Sequence, residues 1–265
     1  MPKSTLDTTE PGLFAIFKGE SGVGKSVAAL SFPGIYVMDF DVKMPAIANK
    51  HFPGKDIAYD TFTDIFKVSE QLEAFKGNCP YETIIADSFT NLANLVIHSA
   101  GKIKGESVPQ LLAKVTPRTN TIEMMGIDYY SAEDRFCTYF IEQLKTLWMQ
   151  EGNPKHVIVL AHVVTVDSAP DLKTKVVTRT RSIVSKGKKV AAWLPSGFDN
   201  VFTFFIQQPD LGDISPKAHY IAKTQAFGED SAKCAFSFPE TVDFTEQTFY
   251  DQVKKYTSWE RKESK

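Results

Sequence analysis

Apolar and polar positions alternate between two textures along this chain. Short apolar runs at 13–18, 35–39, 56–59, 82–87, 156–162, 200–206 and 218–222 predict buried strands. Between them, apolar residues return every three or four positions over 25–32, 63–76, 89–100, 129–150 and 244–257, which predicts helices. Strand alternating with helix predicts an α/β fold, a mainly parallel central sheet with helices on both faces. Phe62, Ile65, Phe66, Leu72 and Phe75 in one helical stretch, and Phe136, Phe140, Leu144, Leu147 and Trp148 in another, are assigned to packing. Two long segments, 101–128 and 163–192, lack strong periodicity, and loops of that length are usually functional or disordered.

Composition narrows the class. The chain has 265 residues, 43% of them hydrophobic, enough for one large α/β domain. The expected division is a single domain over 1–265, with a core at about 11–225 and a short C-terminal extension at 226–265. Net charge is −2, which gives no global sign of a nucleic-acid binder. Cys79, Cys137 and Cys234 are odd in number and widely spaced, so reduced thiols are expected rather than a disulfide framework or a zinc site. The polar start and the absence of an apolar run near the ~18 residues of a membrane span predict a soluble, cytoplasmic protein.

The most specific pattern is Gly19-Glu20-Ser21-Gly22-Val23-Gly24-Lys25-Ser26, a complete G-x-x-x-x-G-K-[ST] phosphate loop. The apolar run Leu13–Phe17 precedes it, and Val27-Ala28-Ala29-Leu30 follows as the first turns of a helix. Glycines let backbone N–H groups turn inward around phosphate oxygens, and a helix N-terminus adds partial positive charge. Lys25 is expected to reach the β- and γ-phosphates of ATP, and the Ser26 hydroxyl to hold Mg²⁺.

Three further strands end in polar residues. Thr83-Ile84-Ile85-Ala86-Asp87-Ser88 places Asp87 where a P-loop enzyme holds its Mg²⁺ shell, opposite Ser26; the alternative is a cap on the helix that follows. Ile35-Tyr36-Val37-Met38-Asp39-Phe40-Asp41 offers a carboxylate to orient the attacking water, Asp41 first and Asp39 second, against a solvated strand terminus. Val157–His162 offers His162 as a donor toward the γ-phosphate or the water, against a strand-end histidine satisfied by a neighbour.

Residues 163–190 carry Lys173, Lys175, Arg179, Arg181, Lys186, Lys188 and Lys189 against Asp167 and Asp171, a local charge of +5 on an acidic remainder. Such a segment is an electrostatic footprint for a polyanion, with Thr178, Thr180, Ser182 and Ser185 as extra phosphate contacts; the alternative is a solvated lysine-rich loop. Only Trp193 follows the charged part, so base stacking from it is not expected.

In their order these pieces resemble the RecA-like recombinase and ATPase core, and within it the small phage-encoded RecA-like proteins that support single-strand annealing and recombination. The resemblance covers about residues 11–225 and rests on GESGVGKS, YVMDFD, TIIADS, VIVLAH, the basic segment and Trp193–Val201. It implies a RecA-like P-loop NTPase core using ATP and Mg²⁺, with Asp41 as the catalytic carboxylate. It implies that His162 is the sensor linking nucleotide state to DNA, where the family usually has Gln. It further places single-stranded DNA on 163–192 and a first DNA loop at 101–128, with Lys102, Lys104, Lys114 and Arg118. Assembly into homo-oligomeric rings or filaments with ATP at the subunit boundary is implied as well, with Lys223 as the basic residue reaching a neighbour's γ-phosphate. A single-strand-binding protein is a candidate partner, and the host-cell cytoplasm the compartment. Two rivals share the phosphate loop: a small-molecule kinase with an arginine-rich lid, and a non-hydrolysing nucleotide switch, which gains if Asp41 faces away from the nucleotide.

Overall fold

A computed structural model describes residues 12–103, 127–149, 156–167, 179–185, 187–208, 218–226, 232–257 and 259. The elements run β1 (Phe14–Gly19), α1 (Lys25–Ala29), β2 (Ile35–Asp39), α2 (Met44–His51), β3 (Ala58–Thr61), α3 (Ile65–Gly77), β4 (Thr83–Asp87), α4 (Phe89–Ile103) and α5 (Ile127–Trp148). They continue with β5 (His156–Asp167), β6 (Arg179–Ile183), α6 (Lys188–Trp193), β7 (Asn200–Gln207), β8 (His219–Lys223), β9 (Thr241–Asp243) and α7 (Phe249–Val253). Among the described residues the sheet has nine strands in the order β3-β2-β4-β5-β1-β7-β8-β9, with β6 paired to β5. Strands β3 through β7 in that order are parallel, and β8 and β9 close the far edge antiparallel. This is the predicted α/β fold with helices on both faces.

Both faces of the central strands are buried, which explains why these strands read as continuous apolar runs. On β1, Phe14 and Ile16 enter one core, with Leu92 of α4 and Phe140, Leu144 and Leu147 of α5. Leu13, Ala15 and Phe17 enter the other, with Ala28 of α1 and Phe249 of α7. The segment after 225 therefore supplies core to the sheet: Phe249 meets Phe17 and Phe202 edge-on at 5.2 and 5.5 Å.

Several sequence expectations shift. Helix α3 starts where Asp64 accepts a hydrogen bond from the Phe66 N–H, and it buries Ile65, Val68, Leu72 and Phe75. Phe66 is 51% exposed: it lies one residue from Ile65, about 100° around the helix, and so faces solvent. The helix predicted at 244–257 is shorter, because residues 241–243 add a strand and Thr248 caps α7 only at Phe249. The segment 163–192 is ordered secondary structure at both ends: β5 continues to Asp167, β6 pairs back antiparallel, and α6 follows. Of 101–128, α4 covers the first residues and α5 the last, and 104–126 lie outside the described residues.

Buried His156 joins the start of β5 to the C-terminal segment. Its Nδ1 accepts from the Leu13 N–H at 3.0 Å, and its ring meets Phe32 and Trp259. Burial pushes the imidazole down to about 4. The folded value lies below the ordinary 6.5, so the stabilisation is complete above pH 6.5 and lost as pH falls toward 4. It amounts to about 3 kcal/mol. Asp87, raised to about 6, titrates in the opposite direction, so the two effects offset in simple melts of the wild type. We expect the His156 C2–H resonance to titrate near pH 4, and the Asp87→Asn variant to lose thermal stability between pH 6.5 and 4. A His156 titration near 6.5 would show that the ring is not held neutral by the core.

Candidate functional site

Parallel pairing brings the C-terminal ends of β1, β2, β4 and β5 to one sheet edge, where ligand sites of open α/β sheets lie. The phosphate loop leaves β1 at Gly19. A Cβ there would approach the Phe204 carbonyl of neighbouring β7 to 2.6 Å, so the position accepts only glycine. Gly22 and Gly24 take left-handed backbone, with φ of 84° and 89°.

Lys25 is buried, and its Nζ donates to the carbonyls of Gly19 and Glu20 at 2.9 and 2.6 Å. Burial lowers its ammonium to about 8, a shift that Asp87, Asp41 and Glu20 partly offset. The Ser26 hydroxyl donates to Asp87 Oδ2 at 2.9 Å, so the Asp87 carboxylate turns to the phosphate loop rather than capping α4. Burial raises Asp87 to about 6; the Ser26 hydrogen bond opposes that shift, and the charges of Asp41 and Asp39 add to it.

The two acids of β2 separate in role. Asp39 is buried, and its oxygens accept from the backbone N–H groups of Asp41, Lys43 and Met44 at 3.0, 3.4 and 3.1 Å. It therefore holds the turn into α2. Asp41 faces the cavity. Its Oδ1 accepts from Ser88 Oγ at 2.8 Å and Asn91 Nδ2 at 2.6 Å, while Oδ2 lies 4.0 Å from His162 Nε2 and 3.7 Å from Lys43 Nζ. Burial would raise Asp41, but His162, the Ser88 and Asn91 hydrogen bonds and Lys43 outweigh it and hold the carboxyl at about 2.

His162 is level with Gly19 across β5 and β1. Its Nδ1 lies 3.5 Å from Lys25 Nζ, its backbone N–H donates to Thr90 Oγ1 at 3.2 Å, and its carbonyl accepts from the Val184 N–H at 2.8 Å. One residue thus touches the phosphate-loop lysine, the Asp41 carboxylate and the end of the basic hairpin.

These groups line one cavity of about 480 Å³. Ser21, Gly22, Gly24, Lys25, Ser26 and Val27 form one wall, and Asp41, Asp87 and His162 the opposite edge. Of the other residues predicted for the loop, Gly19, Glu20 and Val23 shape its start without lining the cavity. Lys223 is level with Thr203 of β7, its Nζ 5.3 Å from the Phe205 ring centre, and it does not line this cavity. Sequence reading missed Lys43 and Lys50 of the α2 wall, and Tyr220 and Phe244 beside Gly24. Lys43 carried a signal, two residues past Asp41 in the same turn; Tyr220 and Phe244 carried none.

Ser26 and Asp87 supply hard oxygen donors, and the raised Asp87 carboxyl is a buried acid that a cation would stabilise as the carboxylate. That donor set fits Mg²⁺, which typically takes one or two protein oxygens and completes its shell with phosphate and water. Among the described residues no cluster of three or more His, Cys, Asp or Glu forms a self-sufficient metal cage.

Four of the predicted DNA-binding residues lie on the hairpin and the helix after it. Arg179 and Arg181 lie on β6, opposite Asp167 and Thr165. Lys188 and Lys189 open α6, with Lys189 2.5 Å from Asp134. Buried Glu133 of α5 accepts from Ser185 Oγ and the Gly187 N–H, both at 2.8 Å, and anchors this junction. Lys173, Lys175 and Lys186 lie outside the described residues, as do Lys104, Lys114 and Arg118; Lys102 falls in the last turn of α4. Among the described residues no helix is long and apolar enough to cross a membrane.

Residues 14–231 match the family model described as AAA domain. No curated protein matches the chain.

Proposed function

We propose that this chain, which belongs to the AAA domain family of P-loop ATPases, hydrolyses ATP with Mg²⁺ to control its grip on single-stranded DNA. The role proposed for that activity is phage-type recombination or annealing by a homo-oligomer, a reading supported by the resemblance to RecA-like proteins. The observation that carries the reading is His162. Its ring lies between Lys25 and Asp41 while its carbonyl accepts from Val184 after β6, so β5 links the nucleotide pocket to the basic hairpin.

In the working site Lys25 leaves the loop carbonyls for the β- and γ-phosphates, and glycine N–H groups hold the remaining oxygens. Ser26 and Asp87 would hold Mg²⁺, which when bound would supply neutralisation of charge on the phosphates. Asp41 Oδ2 orients the attacking water. A carboxylate held at about 2 is a weak base at neutral pH, so its main contribution is orientation. The transition state for phosphoryl transfer is loose and gains most from positioning and charge stabilisation, which suits that division of labour. Its place in the cavity favours hydrolysis over the non-hydrolysing switch. His162 senses the γ-phosphate and passes its presence along β5, an order–disorder switch of the kind other NTPases use.

The test is ATP turnover with and without single-stranded DNA, with mass measured in both nucleotide states. Stimulation by DNA and a nucleotide-dependent mass support the reading; stimulation by a nucleoside monophosphate instead would favour the kinase. Changing Lys186, Lys188 and Lys189 to Gln is expected to weaken DNA binding and lower the salt slope, log K against log salt, by about 1.4, since each phosphate contact on a single strand contributes ~0.7 and Lys189 is already paired with Asp134. An unchanged affinity across the salt series would remove these lysines from the interface.

A further inference from the structure

The turn between β2 and α2 is held in an uncommon shape. Val42 has φ of 57°, a left-handed conformation that costs a β-branched residue free energy, and its side chain is 67% exposed, so burial does not repay the cost. The turn persists because buried Asp39 collects three backbone N–H groups on either side of it. The result is that Asp41 and Lys43, flanking Val42, both line the cavity opposite the phosphate loop. Strain that the surroundings over-determine, placed at a pocket wall, points to a positional requirement on the residues beside it.

The Lys43–Asp41 pair is loose. The nitrogen lies 3.7 Å from Oδ2, beyond the range of a strong charge-assisted hydrogen bond, and the lysine side chain is 67% exposed. A pair of that kind holds little free energy, and a lysine stem swings readily. Oδ1, by contrast, is pinned by Ser88 and Asn91. Only the Oδ2 side of the carboxylate can therefore change partner when negative charge enters the cavity.

We propose that Lys43 is a shuttle cation, paired with Asp41 Oδ2 in the resting pocket and transferred to the terminal phosphate of a bound nucleoside triphosphate. The transfer opens the Lys43 side of Oδ2 to the attacking water, with His162 Nε2 still 4.0 Å away, and makes the pocket discriminate triphosphate from diphosphate. It rests on the ATPase reading above and names a substrate contact that the phosphate-loop motif does not contain. Lys25 stays at the loop side of the phosphates; Lys43 approaches from the α2 side.

The experiment compares wild type, Lys43→Met and Lys43→Arg by calorimetry with Mg²⁺ and either ADP or a non-hydrolysable ATP analogue, and by ATP turnover. Lys43→Met is expected to weaken the triphosphate about tenfold and ADP less than twofold, with a raised KM and a lowered kcat, and Lys43→Arg to restore most of the loss. Equal weakening of both nucleotides, or none, would overturn the shuttle, since a merely structural lysine would not change the ratio. A wild type that binds nucleotide without hydrolysing it would overturn the ATPase reading while the binding ratio still decides Lys43. A wild type that binds neither would overturn both.

Discussion

Lys25→Ala is expected to abolish measurable ATP hydrolysis, a fall of at least about a hundredfold, the loss typical when one preorganised charge is removed from a transition state. The structure explains why no neighbour substitutes. Lys25 is buried at the base of the cavity, held by the Gly19 and Glu20 carbonyls, and its charge faces Asp41 and Asp87. Removing it takes the buried cation from the phosphate loop while two carboxylates stay beside the incoming phosphates, so nucleotide affinity should fall as well. Turnover and nucleotide binding, measured with circular dichroism as a control on folding, check this. Unchanged turnover in a folded variant would remove the whole site assignment.

Asp41→Asn should separate binding from chemistry. The amide is the same size, and its oxygen can still accept from Ser88 and Asn91, so the pocket keeps its shape. The charge proposed to orient the water is gone, and a loss of about 10²–10⁴-fold in kcat is expected, with ATP binding kept within a few-fold. Asp39→Asn should behave in the opposite way. One of its oxygens becomes an NH₂ group facing backbone donors, so stability should fall by about 1–3 kcal/mol. Thermal melts and steady-state kinetics on both variants decide the assignment. A catalytic defect in Asp39→Asn at full stability, with Asp41→Asn active, would reverse it.

These variants show where sequence and structure divide. The phosphate loop was legible because its determinants are local: glycines at fixed spacing, then Lys25 and Ser26, within eight residues. Asp87 and His162 were legible one level up. Each ends an apolar run, and parallel strands bring their C-terminal ends to a common edge, so polar residues at those ends converge. The match to the AAA domain family over residues 14–231 spans all three of these positions.

What the chain could not reveal depends on partners distant in sequence. Sequence already ranked Asp41 ahead of Asp39; what it could not reveal is why Asp39 is unavailable, its oxygens being occupied by backbone N–H groups of the α2 turn. The basic segment read as a loop because the uncharged run Val163–Val166 and the charged Arg179–Ile183 share no one period, and only their pairing makes them a hairpin. Tyr220 and Phe244 reach the cavity from β8 and just past β9, strands placed there by antiparallel pairing some 200 residues after the phosphate loop. Phe66 faces water because a helix turns by about 100° per residue, and one step moves a side chain off the buried stripe. Sequence by itself determined the loop, the strands and the α/β class, because backbone conformation and hydrophobic period are local properties. Tertiary structure alone decided which oxygens remain available and which side chains share the cavity, because hydrogen bonds and electrostatic fields act through space and not along the chain.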